Sequence, residues 1–521
     1  MYSNKENVNI LTSLLVAHGV RHAVVCPGSR NSAIVHNLNE CPDIQCYPVT
    51  DERSAGFYAL GMTQCLDEPV VVCVTSGTAL LNLYPAVAEA YYQHRPLVVI
   101  SADRPAAWID QLDGQTLPQP DALGRFVSKA VTLPEPHDAE TRWYCNRLVN
   151  EAMIACRRAP VHINVPISEP LFDYTVASLP HERKIELLSA DMPGTTLSHV
   201  LRMFMQSKRP MLITGQPMNP NLDEAVSLVQ DDDRYVPDFV LYIGDSIVSK
   251  RVKHFLRKAK ETWAVNWTGE VNDTFQNLTH VIQGDGEVLA DQIRFMLEGQ
   301  PHPFVQLWEE LLSKVREHRD AYHPAYSQMS AVKYLEQQLP LLLERAGGEA
   351  SHYANSTAIR LANIYAQHSV WCNRGVNGIE GSLSTAAGFS LVTDDRVICV
   401  IGDLSFFYDQ NALWNQNLSG NLRILLLNNG KGGIFNMLRG LEQSPARDQY
   451  IAASHQTSAE GICLQNHITY LKAENQEQMQ QGIDTLFTTE SPRPVLLEVF
   501  TDAAEDERIF RDYYATLFAT S

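Results

Sequence analysis

The chain has 521 residues, 45% of them hydrophobic and 19% charged, which is enough for about three domains of ordinary size. Its formal net charge is -19. A diffuse acidic surface repels nucleic acids and anionic membranes, so we exclude both as partners.

The first 175 residues or so alternate between strand and helix patterns. The apolar runs HAVVCPG, IQCYPVTDE, VVVCVTSG, PLVVISADRP and VHINVPI end at turn signals and predict strands. Helical patterns such as SAGFYALGMTQCL and ALLNLYPAVAEAYYQ lie between them. This alternation is typical of a parallel sheet with helices on both faces.

Two further units follow a polar linker around residues 176–195. The second has strand patterns PMLITG, FVLYIGD and TWAVNW and helix patterns KRVKHFLRKA and EVLADQIRFML. A helical stretch of about 303–345 leads to a third unit with strands SVWCNRG, VICVIGD, ILLLNN and PVLLEVF. The predicted fold class is therefore α/β, with three doubly wound parallel-sheet domains.

The second unit looks short for a complete doubly wound domain. After DEAVSLVQ the sequence passes directly to DDDRYVPDF, without the strand and helix expected near residues 230–231. A true deletion and a mobile segment missing from the numbering would both explain this, and the sequence does not decide between them.

The sequence also indicates a cellular compartment. The start, MYSNKENVNILTSLLVAHGV, has an amphipathic helix pattern and lacks the basic start and long apolar run of a signal peptide. No apolar run approaches the roughly 18 residues of a membrane span. None of the ten cysteines forms a CxxC or a Cys/His metal spacing, which favours free buried thiols. We expect a cytoplasmic protein without membrane insertion.

Oxygen-bearing side chains follow two strands of the third unit. Strand VICVIGD ends in Asp403, and strand ILLLNN ends in Asn429 before a GKGG turn. Because ligands bind at the carboxyl ends of parallel strands, both residues should lie on one rim. Asp403, the side-chain oxygen of Asn429 and the main-chain oxygen of Lys431 predict a Mg²⁺ site, with phosphate oxygens and water completing it.

The residues around Asp403 indicate what the metal would hold. Gly402 lets a diphosphate approach the backbone, and the helix after Ser405 points its positive end there. The pattern resembles the GDG…NN signature of thiamine-diphosphate enzymes, with Leu404 in place of the third glycine. The alternative interpretation is a strand-end Asp that caps a helix and an Asn pair in a turn.

A carboxylate in the first unit could contact the aminopyrimidine end of thiamine diphosphate. The strand pattern IQCYPVT leads to Glu52, just before a helix. On its own, Glu52 could simply be an acidic residue favoured by the helix dipole. Together with the Asp403 motif, it is predicted to be the catalytic acid that contacts the aminopyrimidine N1′ of thiamine diphosphate.

Six motifs extend the resemblance to one family: PGSRNS, TDERSAGFYALG, TSGTALLNLYPA, SADRP, NRGVNGIEGSLSTAAG and GDLSFFYDQNAL. They resemble the MenD family of thiamine-diphosphate transferases over nearly the whole chain, most weakly in the second unit. The resemblance implies a pyrimidine-binding domain at 1–180, a shortened central domain at 190–300 and a diphosphate- and magnesium-binding domain at 330–521. It also implies that Mn²⁺ could replace Mg²⁺.

The reaction of that family decarboxylates 2-oxoglutarate and adds the succinyl-semialdehyde carbanion to isochorismate. The products are CO₂ and 2-succinyl-5-enolpyruvyl-6-hydroxy-3-cyclohexene-1-carboxylate, on the route to menaquinone. The family also implies a homodimer whose active sites are shared between chains, and such dimers could pair into tetramers.

Both substrates are dianions, and arginine suits carboxylates because its planar fork binds two oxygen atoms. Any one of these arginines could instead be a surface ion-pair residue. By resemblance, Ser356, Arg360 and Arg374 hold 2-oxoglutarate. The residues expected around isochorismate are Ser29, Arg30, Arg104, Gln115, Lys250 and Arg251. The expected apolar residues are Ile379, which supports the bent cofactor, and the wall residues Ile434, Phe435 and Leu438.

Two other functions remain open from sequence. An acetohydroxyacid synthase would share the cofactor motifs, but it uses small monocarboxylates and often holds FAD in its central domain. A non-catalytic protein could keep the fold, although the presence of Glu52, Asp403 and Asn429 together speaks against it. The chain has no adjacent histidines, a pair that simple 2-oxoacid decarboxylases of this superfamily carry.

Overall fold

The structure is a computed structural model. It describes residues 1–185, 194–215, 220–244, 246–269, 272–297, 302–346, 349–433, 435 and 440–520. Within these residues the chain forms two six-stranded sheets and one four-stranded sheet, and every strand pair in them is parallel. The predicted α/β class is confirmed.

The first unit contains one six-stranded sheet with helices on both faces. Its elements are, in chain order, α1 (Glu6–Ala17), β1 (His22–Val25), α2 (Ser32–Glu40), β2 (Gln45–Pro48), α3 (Glu52–Leu66), β3 (Val70–Val74), α4 (Thr78–Asn82), α5 (Tyr84–Tyr92), β4 (Leu97–Asp103), β5 (Lys129–Thr132), α6 (Ala139–Ala155) and β6 (Val161–Pro166).

The middle unit contains the four-stranded sheet, and two long helices follow it. The elements of this part are α7 (Gly194–Gln206), β7 (Pro210–Thr214), α8 (Leu222–Val229), β8 (Phe239–Ile243), α9 (Lys250–Leu256), β9 (Glu261–Asn266), β10 (Leu278–Gln283), α10 (Gly286–Leu297), α11 (Pro303–Ala321) and α12 (Gln328–Ala346).

The third unit contains the second six-stranded sheet. Its elements are β11 (Glu349–Tyr353), α13 (Thr357–Tyr365), β12 (Val370–Trp371), α14 (Ser382–Ser390), β13 (Arg396–Gly402), α15 (Asp403–Tyr408), β14 (Leu422–Asn428), α16 (Glu460–Gln465), β15 (Thr469–Ala473), α17 (Gln476–Thr488), β16 (Val495–Phe500) and α18 (Ala503–Thr520).

The two six-stranded sheets share one strand order. The first runs β2-β1-β3-β4-β6-β5, and the third runs β12-β11-β13-β14-β16-β15. If the strands of each unit are counted from its own beginning, both orders are 2-1-3-4-6-5. Equivalent strands therefore deliver their following loops to equivalent places on the two carboxyl-end rims, where ligands bind in such sheets.

The first and third units pack together through two equivalent helices, α3 and α14, each of which follows the second strand of its sheet. A side chain on Gly61 of α3 would overlap the main-chain oxygen of Thr385 in α14. Reciprocally, a side chain on Gly388 of α14 would overlap the main-chain oxygen of Tyr58 in α3. These glycines allow the two backbones to touch, and one hydrophobic cluster spans both units.

The middle unit has the smallest sheet of the three. Its four strands lie in the order β10-β9-β8-β7. Residues 230–238, all of them described, contain only a 3₁₀ turn at Asp233–Tyr235 between α8 and β8. The domain limits of 1–180, 190–300 and 330–521 remain our prediction. Part of the predicted linker, residues 186–193, lies outside the described residues.

Some elements differ from the sequence prediction. The stretch of about 303–345 is two helices, because Pro324 follows the end of α11. The ammonium group of Lys333 in α12 donates to the carbonyl oxygens of Arg319 and Asp320 in the last turn of α11. Four strands were missed: β5, β10, β11 and β15. Three of them are short edge strands, and β11 carries Glu, Ser and His, so their apolar signal is weak.

None of the helices in the described residues is both long enough and apolar enough to cross a membrane.

The contact between α3 and α14 gives the first prediction. Gly61→Ala should lower the melting temperature by several degrees, because overpacking typically costs about 1–3 kcal/mol. Helix propensity alone would favour alanine by about 0.5–1 kcal/mol, so the direction of the change is diagnostic. The measurement is thermal unfolding followed by circular dichroism.

A matched control is Gly461→Ala in α16, where a side chain would meet no atom within 4 Å. This variant should melt at or slightly above the wild-type temperature. Equal melting temperatures for Gly61→Ala and the wild type would contradict the close contact.

Candidate active site

Asp403 lies at the carboxyl end of β13 and is only 4% exposed. Its Oδ2 accepts hydrogen bonds from the main-chain nitrogen atoms of Gly430 at 2.8 Å and Asn429 at 3.2 Å. Its Oδ1 accepts one from the Leu404 nitrogen at 2.7 Å. His455 Nε2 lies 3.4 Å from Oδ2, and this contact raises the pKa of His455. Asp403 therefore joins the ends of two neighbouring strands.

Two acidic side chains orient the Asn428–Asn429 pair. Asn429 Nδ2 donates to Asp506 Oδ2 at 3.1 Å, and Asn428 Nδ2 donates to Glu498 Oε1 at 2.7 Å. The NH₂ group of the Asn429 amide therefore faces Asp506. The oxygen then faces the other way, where the Lys431 nitrogen approaches it at 3.4 Å. This is the end of the amide that can bind a metal ion.

The other predicted residues of this rim surround Asp403. Gly402 has no atom within 4 Å of the place a side chain would occupy, so the rim is open there. Leu404 and Ser405 form the first turn of α15, and Ser405 is buried. There is therefore open space at the carboxyl end of β13, and Asp403 lies beside this space.

The predicted apolar wall is only partly described. Phe435 is half-buried, and its ring would be 2.9 Å from a side chain placed on Gly432. Ile434 and Leu438 lie outside the described residues.

Glu52 occupies the equivalent rim of the first sheet, at the start of α3. The helix is capped by its neighbour: Asp51 Oδ1 accepts from the nitrogen atoms of Arg53 at 2.9 Å and Ser54 at 3.3 Å. Glu52 is half-buried, and its Oε2 accepts a hydrogen bond from Asn82 Nδ2 at 3.4 Å. Because Asp51 caps α3, the carboxylate of Glu52 does not have that role and can bind another group.

Ser29 and Arg30 follow β1, next to Glu52 on this rim. Ser29 is exposed, whereas Arg30 is buried. Arg30 donates to the carbonyl oxygen of Ile167 at 2.9 Å and to Glu169 Oε1 at 3.3 Å. Its buried Nε has no hydrogen-bond partner among the described residues. The guanidinium is thus partly held by the protein and keeps one donor for a further acceptor.

Arg104 and Gln115 belong to the loop that follows β4. Arg104 Nε lies 2.7 Å from Asp113 Oδ2, and the guanidinium also donates to the Gly114 carbonyl oxygen. Gln115 is exposed and has a positive φ of 56°. A side chain on Gly77, at the end of β3, would be 3.3 Å from the Gln115 backbone. The loop therefore folds back over the rim.

The third unit places two arginines close together. Arg360 Nη1 donates to the Ser356 carbonyl oxygen at 2.9 Å, and Arg374 Nη1 donates to Asn355 Oδ1 at 3.0 Å. Burial and the positive charge of Arg374 lower the pKa of Arg360, and burial lowers the pKa of Arg374. Within the described residues neither arginine forms an ion pair, although Asp223 acts electrostatically on Arg360 and Glu89 on Arg374.

Ser356 stands at the start of this arginine region with φ 75° and ψ -125°. A residue with a side chain rarely adopts this conformation, and such strain is concentrated at functional sites. The Arg374 Nε is buried without a hydrogen-bond partner among the described residues. Both features suit a place where an anion binds.

Helix α9 of the middle unit approaches this region. Arg251 is bound to Asp223, with Nη1 2.8 Å from Oδ2, and is therefore already neutralised. Lys250 is exposed. Lys253, which the sequence analysis did not select, is half-buried, and burial together with Arg374 and Lys250 lowers its pKa. Lys253 is therefore an α9 cation close enough to Arg374 to act on it electrostatically.

Large apolar side chains are exposed after the strands that carry these residues. Ile379, the predicted cofactor support, is 42% exposed, and further large apolar side chains are exposed on both rims. The exposed set is Leu81, Tyr84, Trp108, Leu112, Val376, Ile379, Tyr408 and Trp414. Exposed apolar residues around these rims suit a surface that another molecule covers.

The structure thus separates the predicted residues into two rims. Glu52, Ser29, Arg104 and Gln115 belong to the first sheet, while Asp403 and Asn429 belong to the third. Among the described residues, no three His, Cys, Asp or Glu side chains converge as a metal site. One carboxylate, one amide oxygen and main-chain oxygens would instead supply the ligands, a donor set that suits Mg²⁺ bound to a diphosphate.

Comparison with known proteins agrees with this division. The family model of the thiamine pyrophosphate enzyme N-terminal TPP binding domain matches residues 6–123, and that of the C-terminal TPP binding domain matches residues 353–499. A solved Mycobacterium smegmatis structure described as a thiamin diphosphate-dependent enzyme has a TM-score of 0.69 at 14% identity. The match covers 95% of this chain and 100% of the Mycobacterium smegmatis chain, so the two proteins share a fold.

Full-length relatives carry one name, 2-succinyl-5-enolpyruvyl-6-hydroxy-3-cyclohexene-1-carboxylate synthase. That of Bacteroides thetaiotaomicron is 43% identical over 562 residues, covering 99% of this chain and 100% of its own. That of Porphyromonas gingivalis is 31% identical, covering 100% and 98%. The 562-residue alignment is longer than the 521-residue chain, so the first relative has residues that this chain lacks. The chain belongs to the 2-succinyl-5-enolpyruvyl-6-hydroxy-3-cyclohexene-1-carboxylate synthase (MenD) family, a transferase family among the thiamine pyrophosphate enzymes.

Proposed function

We propose that the chain catalyses the reaction for which its relatives are named, with thiamine diphosphate and Mg²⁺ as cofactors. In this reaction 2-oxoglutarate loses CO₂, and its remaining four carbons are joined to isochorismate in menaquinone biosynthesis. The observation that carries the proposal is that Arg360 and Arg374 lie close together, half-buried and without ion-pair partners in the described residues. Such a pair is suited to a dicarboxylate rather than to a small monocarboxylate.

The cofactor assignment rests on the two rims. Asp403, Asn429 and the main-chain oxygen of Lys431 would hold Mg²⁺, or Mn²⁺ in its place, with Gly402 leaving room for the diphosphate. Thiamine diphosphate, when bound, supplies the nucleophilic carbon that accepts a 2-oxo acid and allows CO₂ to leave. Glu52 would hold a proton at its carboxyl group against the pyrimidine ring.

The substrate residues have separate tasks in this proposal. Arg374 and Arg360, with Ser356, bind and orient 2-oxoglutarate in a half-buried region that limits access of water. Arg104 is half-buried and already pairs with Asp113 at 2.7 Å, so an incoming carboxylate would have to share or replace that ion pair. The residues proposed for isochorismate are Ser29, Arg30, Arg104, Gln115, Lys250 and Arg251.

Lys250 and Arg251 receive the least support, since Arg251 already pairs with Asp223 and Lys250 is exposed. Phe435 remains the described member of the proposed apolar wall, and Ile379 the proposed support of the cofactor. These roles come from the family resemblance together with the positions given above.

We also propose a homodimer with two shared active sites, which could pair into tetramers. The exposed apolar residues around both rims favour a second chain as the covering molecule. All ten cysteines are free thiols, which fits a reducing compartment, and we propose the cytoplasm.

The direct test supplies purified protein with 2-oxoglutarate, thiamine diphosphate and Mg²⁺, with and without isochorismate. We expect CO₂ and the joined product only when both substrates and both cofactors are present. A wild-type protein that releases no CO₂ when both substrates and both cofactors are supplied would contradict the proposed function.

Removal of the proposed metal ligand gives the second prediction. Asp403→Ala should weaken binding of Mg²⁺ and thiamine diphosphate together by at least about tenfold, because the metal joins protein and diphosphate. Isothermal titration with each component measures this. The exposed Asp394→Ala of the same unit is the control. Unchanged cofactor affinity in Asp403→Ala would remove Asp403 from the site.

The third prediction separates the two substrates. Arg360→Ala or Arg374→Ala should impair decarboxylation of 2-oxoglutarate, measured with an artificial electron acceptor. Arg104→Ala should leave that step intact and impair capture of isochorismate. Arg234→Ala, an exposed residue paired with Asp232, is the control. Equal loss of both steps in all three variants would show that the division is wrong.

The fourth prediction concerns the shared sites. Glu52→Gln and Asp403→Ala chains are each expected to be inactive, because a proton-transfer group or the metal ligand is lost. In a mixed dimer one site would carry both lesions and the other neither. Random pairing should therefore restore roughly a quarter of wild-type activity. No recovery, despite subunit exchange demonstrated by mass spectrometry, would show that each site lies within one chain.

A further inference from the structure

The loop between β12 and α14 carries two of the proposed site residues, Arg374 and Ile379. It has no regular hydrogen-bond pattern, and Asn377 has a positive φ of 70°. Because the loop lacks secondary structure of its own, the position of Arg374 depends on the contacts that the loop makes.

Glu89 of the first unit makes the central contact. It lies on α5 and is 3% exposed, yet it belongs to neither rim. Its Oε1 accepts a hydrogen bond from the main-chain nitrogen of Gly375 at 2.8 Å, and its Oε2 accepts one from that of Val376 at 2.7 Å. One carboxylate thus binds two consecutive N–H groups immediately after Arg374.

The contact is close and is supported from both sides. A side chain on Gly375 would lie 2.8 Å from Tyr92 Cβ and 3.0 Å from the Glu89 carbonyl oxygen, so the loop needs a glycine there. Gln93 Nε2 donates to Glu89 Oε1 at 2.6 Å and lies 3.3 Å from Asn373 Oδ1. The first unit therefore contacts the residues on each side of Arg374.

The third unit holds the same loop from its own side. Asn355 Nδ2 donates to the carbonyl oxygens of Asn373 at 2.7 Å and Gly378 at 2.8 Å, and its oxygen accepts from Arg374. Those bonds fix the ends of the segment. They leave the nitrogen atoms of Gly375 and Val376 to Glu89.

A buried carboxylate is costly unless hydrogen bonds to charged groups or to several N–H donors offset its desolvation. Burial raises the pKa of Glu89, and the two loop N–H groups act in the opposite direction. A neutral or apolar residue would serve equally well to fill the space between two units. A side chain whose two oxygen atoms each accept one loop N–H therefore favours a role in ordering the loop.

We propose that Glu89 is a positioning residue for 2-oxoglutarate, which acts by holding the Gly375–Val376 backbone and thereby fixing the guanidinium of Arg374. The proposal rests on the function proposed above. In a homodimer with shared sites, Glu89 would serve the site formed by the third unit of its own chain, whereas Glu52 of the same chain would serve the other.

The test uses Glu89→Gln and Glu89→Ala in the full-length protein. The amide introduced by Glu89→Gln can accept from only one of the two N–H groups and presents its own NH₂ to the other, so the isosteric change already breaks the paired contact. Glu224→Gln, a fully buried carboxylate of the middle unit that contacts Asn221 and Tyr513, is the matched control.

Two measurements separate positioning from general stability. Hydrogen exchange should accelerate at the Gly375 and Val376 amides by at least about tenfold, because their acceptor is lost. The KM for 2-oxoglutarate should rise by about tenfold, with a smaller change in kcat and in the KM for isochorismate, since misplacing a binding group weakens only the ligand it holds.

An unchanged KM for 2-oxoglutarate in both variants, with faster exchange at the two amides, would overturn the proposal. So would an equal rise in KM in Glu224→Gln at a matched loss of melting temperature, because the effect would then reflect stability alone. If Glu89→Ala does not fold, Glu89→Gln decides. Failure of the proposed function would instead show as absence of 2-oxoglutarate turnover by the wild-type protein.

Discussion

The close contact between helices α3 and α14 is the constraint on which the rest of the molecule depends. At Gly61 and Gly388 the backbone of each helix lies close to a carbonyl oxygen of the other helix. A side chain at either position would overlap that oxygen. This contact sets where the first sheet stands relative to the third. Hydrogen bonds such as Arg53 to the Tyr408 oxygen at 2.8 Å and Tyr58 to the Ala412 oxygen at 2.6 Å depend on it.

The charge distribution follows a second constraint. In a chain of net charge -19, the proposed binding of dianions would depend on half-buried arginines that form no ion pair in the described residues. Arg360 and Arg374 have no ion-pair partner in the described residues, while Arg251 is matched with Asp223. In a partly buried place the attraction for a carboxylate is less screened than on the surface. The positive potential around the two arginines can thus oppose the negative potential of the whole chain.

The sequence predicted the three parallel sheets and most central strands, because their apolar runs are long and end at clear turn signals. It also selected Glu52, Asp403 and Asn429, since each directly follows such a strand. Asn82, Asp506 and Glu89 were missed because they act through hydrogen bonds to residues distant in sequence. No local pattern marks such a partner; only the packing of the two units brings it near.

The identical 2-1-3-4-6-5 strand order of the first and third sheets has an evolutionary consequence. Two units with one topology, joined through equivalent helices with a glycine on each, are what a duplicated ancestral unit would give. The ancestor would have associated with itself through this helix, so the interface would be older than the chain that now contains it. After fusion each copy could specialise: the carboxylate of Glu52 follows the second strand of the first unit, and that of Asp403 follows the third strand of the third unit.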